Sequence, residues 1–476
     1  LQLEAVACKD WLTNKADRCV SGRVAKQQCA GPLQLPLNNC GVMALDYNGT
    51  NGVATSIGHS PISGLIDPVA GARNSITEAL TNIVWAPLEE QLKSISLSAN
   101  WMWPCNNEGE DARLYKAVEA VSEFSIGLGI NVPTGKDSLS MKQKYKNEEV
   151  ISPGTVIISA AGHCNAISKV VEPVLQKDAG SLYYISFSQD TFKLGGSSFA
   201  QILNVIGNET PTVKSAAYVK TVFNTLQTLI AEGAIAAGHD VASGGLITTL
   251  LEMCFADTNL GAKVDLSALG EEDSIKVLFA ENCAVVLQAK NDSSVEKMLA
   301  ENNVDFVKIG SVTETETLEI TNHSETETFS IPEMRDTWYK TSYLLDKKQS
   351  GATKATERFN NYKEQPLQFT FPQHYTNTVA QFQNARKENK NRIKAAVIRE
   401  KGSNSEREMA NAMYLAGFDV KDVHMTDLIS GRETLEDIQF IATVGGFSNS
   451  DVLGSAKGWA GAFLYNEKAN KSLKDF

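Results

Sequence analysis

Apolar residues at Val69, Ala72, Ile76, Ala79, Leu80 and Ile83 recur at helical spacing within the stretch from Pro68 to Gln91, which predicts a helix laying one face on a sheet. Pro68 suits its first turn. Arg73, Asn74, Glu78 and Asn82 fall away from that stripe, and Glu78 and Asn82, four positions apart, project side by side. An anionic oxygen and an amide oxygen held together on a rigid element suit a hard cation such as magnesium. Taken alone, the pair is more simply a solvated polar flank.

Around this helix the apolar pattern alternates between strand and helix periods. Leu1 to Trp11 reads as the end of a helix, and glycines and prolines at Gly22, Gly31, Pro32 and Pro36 lead into an apolar run from Cys40 to Leu45, a loop feeding a strand. Asn38 and Asn39 stand just before that strand, where amide groups could reach a ligand or serve a turn. SISLSANWMW predicts a strand and GEDARLYKAVEAVSEFSIGLGI a helix with Leu114, Ala117, Val118, Val121 and Phe124 inside. In NVPTGKDSLSM, Lys136 beside glycine and hydroxyls is a candidate phosphate contact, without the glycine spacing of a Walker loop. GTVIISAAG closes the unit as a strand.

A second block opens with the strand SLYYISFS and a Gly195-Gly196 turn into Ser197 and Ser198, a possible anion seat. A helix over Val213–Glu232 leads to AIAAGHDVASGGLITTLLEMCFAD, a strand ending at His239 and Asp240 before a helix capped by Ser243. Asp240 there could take a metal bridged to phosphate, or merely stand in a capped turn; His239 alone is more often structural than catalytic. Thr313–Thr328 predicts an exposed hairpin, and Thr337–Arg392 a polar surface connector. The last block, IKAAVIREKG, SEREMANAMYLAG with a Gly417 stop, FDVKDVHM and FIATVGGFSNSD, alternates strand and helix, which predicts a parallel doubly wound sheet with too few units to close.

The 476 residues suggest about three domains. With 42% apolar and 21% charged residues the chain can bury real cores. A net charge of -12 argues against nonspecific nucleic-acid binding. The eight cysteines are scattered without a CxxC pair, so neither zinc nor a disulfide frame is signalled, and reduced thiols in the cytoplasm are expected. No run has the length of a membrane span.

DRCVSGRVAKQQCAGPLQLP, TEALTN, LSANWM, GEDARLY, VPTGKDSLSM, HDVASGGL, REMANAMYLAGF, VHMTDLISGR and GGFSNSDVLG, in this order and spacing, closely resemble the large formylglycinamide ribonucleotide amidotransferase family, also called phosphoribosylformylglycinamidine synthases. The resemblance covers nearly the whole chain. It implies an internal fragment of α/β (α+β) class: the second copy of an aminoimidazole ribonucleotide synthetase-like two-domain unit, followed by the start of a flavodoxin-like class I glutaminase domain. The implied boundaries are 1–170, 171–332, a connector over 333–391, and 392–476. The implied reaction takes formylglycinamide ribonucleotide, ATP and glutamine-derived ammonia to the amidine in purine synthesis. By the same resemblance Glu78, Asn82, Asp240 and the position of Asn39 hold magnesium on ATP or ADP, and Asn38 and Ala242 touch the nucleotide; Lys136 is kept as a phosphate contact.

The sequence departs from the family at some of these positions. Relatives usually carry an acidic residue where Asn39 stands, a serine at Ala242, and tyrosine and glycine at Asn449 and Ser450. In the family this half's nucleotide is held structurally, and the turnover site uses the other half. The resemblance therefore implies a fragment that lacks the glutaminase cysteine and is not active alone. Two rival readings are a nucleotide-stabilised scaffold without catalysis, and a free-standing phosphotransferase similar to selenophosphate synthetase; the glutaminase-like stretch from Ile393 to Asp451 speaks against the latter. Without the first half, the sheet is expected to pair with a second copy into a dimer.

Overall fold

The computed structural model describes residues 1–476 except 14, 15, 17, 20, 21, 47–49, 257–258, 365–368, 377–379 and 382–389. It divides into two compact units, residues 1–366 and 367–476.

The first unit opens with turns and a short helix, α1 (Asp10–Thr13), where a longer helix end is expected over Leu1–Trp11. Tertiary contacts override the local pattern here: the Trp338 indole N–H donates to the Val6 carbonyl at 2.9 Å, and the Cys8 N–H to the Trp338 carbonyl at 3.2 Å. β1 (Val24–Lys26), β2 (Cys40–Ala44) and β3 (Gly52–His59) follow, then α2 (Pro61–Ile66), α3 (Pro68–Ile83), β4 (Ile95–Met102), α4 (Glu110–Leu128), β5 (Asn131–Ser138), the hairpin β6 (Lys142–Lys144) and β7 (Glu149–Ile151), and β8 (Thr155–Cys164). The sheet order is β1-β2-β3-β8-β4-β5, antiparallel except for the β4–β5 pair.

α3 is the organising helix, but it stops at Ile83 and not near Gln91. Trp85, Ala86 and Pro87 explain the stop, since proline disfavours helical backbone in the residue before it. Ile76, Leu80 and Ile83 are fully buried against the sheet. Asn74 and Asn82 are buried too, contrary to a solvated flank. Asn74 donates to the Pro211 carbonyl at 2.9 Å. In β3, Ser56 and Gly58 face the helix: the Ser56 hydroxyl donates to the Ala79 carbonyl at 2.6 Å, and a Cβ on Gly58 would lie 2.2 Å from the Ser75 carbonyl oxygen. The opposite face of β3, with Val53, Thr55 and Ile57, is left for the cleft described below. Along α4 the inner face is Ala117, Ala120, Val121, Phe124 and Leu128; Val118 is exposed, shifting the stripe by part of a turn.

The second sheet is built from β9 (Leu182–Ser186), β10 (Ile235–Val241), β11 (Gly261–Asp265), β12 (Ala284–Ala289), β13 (Val307–Thr313), β14 (Thr317–Asn322) and β15 (Glu325–Ser330), in the order β10-β12-β9-β13-β11-β14-β15. Its helices are α5 (Ser198–Ile202), α6 (Ala216–Ala231), α7 (Gly245–Phe255), α8 (Ser274–Phe279) and α9 (Asp292–Glu301). β10 and β12 are buried throughout, and β14 and β15 form the expected hairpin. The cap of α7 is Gly244 and not Ser243.

The expected polar surface connector begins with two helices. α10 (Ile331–Ser350) and α11 (Ala352–Asn361) meet at Gly351, which has φ +85°. They pack through aromatic side chains: Tyr339 and Tyr362 stack with ring centroids 4.2 Å apart, and Trp338 meets Phe255 at 5.3 Å. Their polar surface hides this inner aromatic stripe from a composition argument. Part of the stretch QPLQFTFPQHY lies outside the described residues.

The second unit carries a parallel sheet in the order β17-β16-β18, with β16 (Lys394–Arg399), β17 (Asp419–His424) and β18 (Phe440–Thr443), as the alternation predicts. The helix Glu406–Leu415 ends before Gly417, which has φ +99°. Asn449, Ser450 and Asp451 all adopt positive φ, a conformation costly for residues with side chains.

Candidate functional site

One cleft of about 1030 Å³ gathers most of the residues singled out from the sequence. Its floor is the sheet face turned away from α3, with Val53, Thr55, Ile57, Ser96, Ser98 and Ser159. At its end stand Asn38, Asn39, Glu78, Asn82, Asp240 and Ala242. Glu78 and Asn82 come from α3; Asp240 comes from the end of β10, in the other sheet.

The local bonding decides what each group can still do. The Asn82 amide N–H donates to the Ile57 carbonyl at 2.9 Å, so its oxygen Oδ1 is left buried without a partner. Glu78 Oε2 accepts the His59 backbone N–H at 2.5 Å, and the His59 ring lies 3.6 Å away. That carboxylate raises the pKa of His59 against the effect of partial burial. Asp240 Oδ1 accepts from the Asn39 amide at 2.8 Å and sits 3.1 Å from His239 Nδ1, while Oδ2 is buried with no partner. The Asn38 amide donates to the Gln27 carbonyl at 2.8 Å, leaving its Oδ1 unpartnered and buried as well.

Unpaired buried oxygens are costly in an isolated protein. Three of them, and the Glu78 carboxylate, line one cleft, and oxygens of this kind are what a hard divalent cation accepts. Glu78 and Asp240 also act together on a third group: burial pushes up the pKa of the Cys283 thiol, and the charges of both carboxylates add to that. Among the described residues no cluster of three or more His, Cys, Asp or Glu side chains could hold a metal, so amide oxygens and a ligand's own oxygens would have to complete the shell.

Asn39 presents its amide nitrogen, not its oxygen, to Asp240. A carboxylate opposite requires a donor there. The side chain therefore orients Asp240 through its nitrogen. Lys136 lies on the exposed edge strand β5, where its ammonium bonds to the Ser138 hydroxyl, and it is not on the cleft wall. Its strand reaches the cleft through Pro133 and Thr134, and the phosphate contact expected of Lys136 is not tested by the structure.

Three residues hold roles beyond those the sequence assigns, His239 among them although it is named there as more often structural than catalytic. Lys26 is buried in the cleft and donates to the Val171 carbonyl; burial lowers its pKa, opposed by Cys40, Glu172 and Asp240. In RVAKQQ only Val24 and Ala25 are apolar, so no local pattern marks it. His239 bridges Asp240 and Glu252, with Nε2 2.8 Å from Glu252 Oε2. Burial alone would lower its pKa, but the two carboxylates outweigh this and raise it to about 10. Asp240 is held below the usual carboxylate range by His239 and Asn39, against the effect of burial. Glu281 is the third.

Residues 8–163 match the FGAR-AT PurM_N-like domain, residues 190–322 the C-terminal domain of AIR synthase related proteins, and residues 392–476 the CobB/CobQ-like glutamine amidotransferase domain. These define a chain of AIR synthase-like domains joined to a glutamine amidotransferase-type domain. The probable phosphoribosylformylglycinamidine synthase of Arabidopsis thaliana, chloroplastic/mitochondrial, is 40% identical over 489 residues, covering 100% of this chain and 34% of that protein. The Homo sapiens phosphoribosylformylglycinamidine synthase is 38% identical over 489 residues, covering 100% and 36%. The chain belongs to the phosphoribosylformylglycinamidine synthase family and spans about a third of the length of these relatives. A structure of T. maritima PurL complexed with FGAR shares the fold, with TM-score 0.51 and 13% identity over 63% of this chain and 48% of that one. No described helix is long and apolar enough to cross a membrane.

Proposed function

We propose that this chain is the nucleotide-holding second half of a ligase that makes formylglycinamidine ribonucleotide from formylglycinamide ribonucleotide, ATP and glutamine. The observation that carries the reading is the set of unpartnered buried oxygens on Asn38, Asn82 and Asp240 around one cleft, next to Glu78. Glu78, Asn82 and Asp240 would hold a magnesium ion, whose chemistry is to neutralise and orient the phosphates of ATP or ADP. Asn38 and the backbone at Ala242 would meet the nucleotide, and Asn39 keeps Asp240 turned toward the metal.

The role is structural holding and not turnover. Glu78 and Asp240 bring two negative charges for a divalent ion, and Asn39 adds none. Residues 392–476 contain no cysteine, so a glutaminase thiolate has to come from another part of the protein. The free-standing phosphotransferase reading is set aside because the amidotransferase domain match occupies the C-terminal block.

Calorimetry with magnesium and ADP tests the site. Wild type is expected to bind one ADP in the presence of magnesium, Glu78→Gln to bind it about 10-fold more weakly, and Lys136→Ala to bind as wild type; the loss corresponds to about 1.4 kcal/mol. Unchanged affinity in Glu78→Gln removes Glu78 from the site.

The open sheet face gives a second expectation. Ile57 and Met43 are exposed on it, and a face of this kind is ordinarily covered. A second copy, or the first synthetase half, would cover it. Light scattering on the chain alone at micromolar concentration is expected to show a dimer, and a monodisperse monomer contradicts the expectation.

A further inference from the structure

Glu281 lies where two loops of the first unit meet. One loop, with Gly195 and Gly196, leads into α5; the other, from Asp240 to Gly244, leads into α7. A single carboxylate oxygen, Oε1, accepts the Ser198 N–H at 2.7 Å and the Gly244 N–H at 2.8 Å. Ser198 is the first residue of α5, and Gly244 is the cap of α7.

Gly244 has φ +92° and no side chain with which to cap its helix. In a capping box a glutamate within the helix reaches back to the cap N–H; here the carboxylate arrives from a different element, just before β12. The chain is tightly laid around it. A Cβ on Gly245 would lie 2.6 Å from the Leu278 carbonyl oxygen, and one on Gly195 would lie 2.0 Å from that of Glu209. Neither loop can shift without losing its bond to the carboxylate. Burial raises the pKa of Glu281, and the two N–H donors oppose that rise. A chamber of about 230 Å³ lies against Glu281 and is lined also by Glu78, His59, Ala242 and Ser243, all of which border the nucleotide cleft.

We propose that Glu281 is a positioning residue: its carboxylate is a resident anion that ties the Asp240–Gly244 turn to the Gly195–Ser198 loop and so holds the phosphate end of the cleft in shape. Only the statement about the phosphate end rests on the nucleotide reading; the tie between the loops does not. No ligand anion is needed at this junction because the protein supplies one, whose carboxylate takes the Gly244 N–H that a cap without a side chain leaves to others. The possible anion seat at Gly195–Ser198 is thereby filled from within.

The test uses the full chain with Glu281→Ala and Glu281→Gln, each melted without nucleotide in sodium chloride and in sodium formate at equal ionic strength. Glu281→Ala is expected to melt several degrees below wild type in chloride and to regain most of that loss in formate, because formate can take the vacated place between the two N–H groups. Wild type should respond equally to the two salts. Glu281→Gln, which keeps an acceptor oxygen, should melt between wild type and the alanine variant and gain nothing from formate. Equal melting of Glu281→Ala in both salts, or melting at the wild-type temperature, overturns the proposal, since a side chain that merely fills space is not replaced by a small anion.

A second arm titrates magnesium–ADP. Where wild type binds, Glu281→Ala should bind about ten-fold more weakly and recover in formate, as expected for loss of charged hydrogen bonds. Absence of nucleotide binding in wild type would refute the nucleotide reading while the melting comparison still decides the role of Glu281.

Discussion

Asp240→Ala is expected to weaken magnesium-dependent ADP binding by about 100-fold, the largest effect of any single substitution in the cleft. Contacts to charged groups are worth roughly 1.5–3 kcal/mol, and each 1.4 kcal/mol is a factor of ten. The substitution removes the unpartnered oxygen Oδ2 and also the anchor for the Asn39 amide. It has a stability signature with a defined pH window. His239 has a pKa raised to about 10 with help from Asp240, so the stabilisation from its charge is full below the ordinary value of 6.5 and is lost as pH rises through about 10. The Asp240 pKa is lowered, so its own contribution is present above 3.8 and disappears as pH falls through the lowered value. The melting difference between wild type and Asp240→Ala should therefore be greatest between about pH 4 and 6.5 and shrink toward pH 10. A difference that grows with pH would show that the His239–Asp240 pair is not charged as described.

Gly58→Ala should destabilise the first unit by about 2–3 kcal/mol, in the upper part of the range for overpacking. The added Cβ would meet the Ser75 carbonyl oxygen at 2.2 Å and the Ala79 nitrogen at 2.3 Å. Both are backbone atoms of α3 and cannot rotate away, so the helix must lift from β3. That contact is also where the site is assembled: the Asn82 amide reaches the Ile57 carbonyl and Glu78 accepts the His59 N–H across it. The variant is expected to melt at least about 4 °C lower, taking roughly 2 °C per kcal/mol for a unit of this size, and to bind nucleotide more weakly as well. Gly461→Ala, which meets open space, is the control. Equal melting of Gly58→Ala and wild type would mean that helix and strand are not in direct backbone contact.

The periodicity of α3 made the organising helix legible, and its four-residue spacing set Glu78 beside Asn82. The strand-to-helix turn at Asp240 was legible for the same local reason. Their meeting was not, because they belong to different sheets about 160 residues apart in sequence, and only the ordered motifs of a known family joined them. The sequence was silent where a side chain's task depends on a distant partner. Asn39 is chemically able to offer an oxygen, and only the carboxylate of Asp240 facing it determines that it offers nitrogen. Lys136 has the composition of a phosphate contact, but its ammonium bonds the Ser138 hydroxyl on an exposed edge strand, a pairing that local composition does not announce. Glu281 lies in LFAENC with no local pattern to mark it, since its two donors come from other loops. Helices α10 and α11 escaped notice because their cohesion is aromatic stacking on an otherwise polar surface.

The central claim, that α3 and the end of β10 close on one cation and its polyphosphate, is tested most directly by diffraction from crystals of the full chain grown with manganese and ADP, using manganese anomalous scattering. The account predicts one anomalous peak within about 2.3 Å of oxygens from Glu78, Asn82 and Asp240, with the ADP phosphates on its open side. A peak elsewhere with ADP bound, or ADP bound with its phosphates away from these three residues, would contradict it.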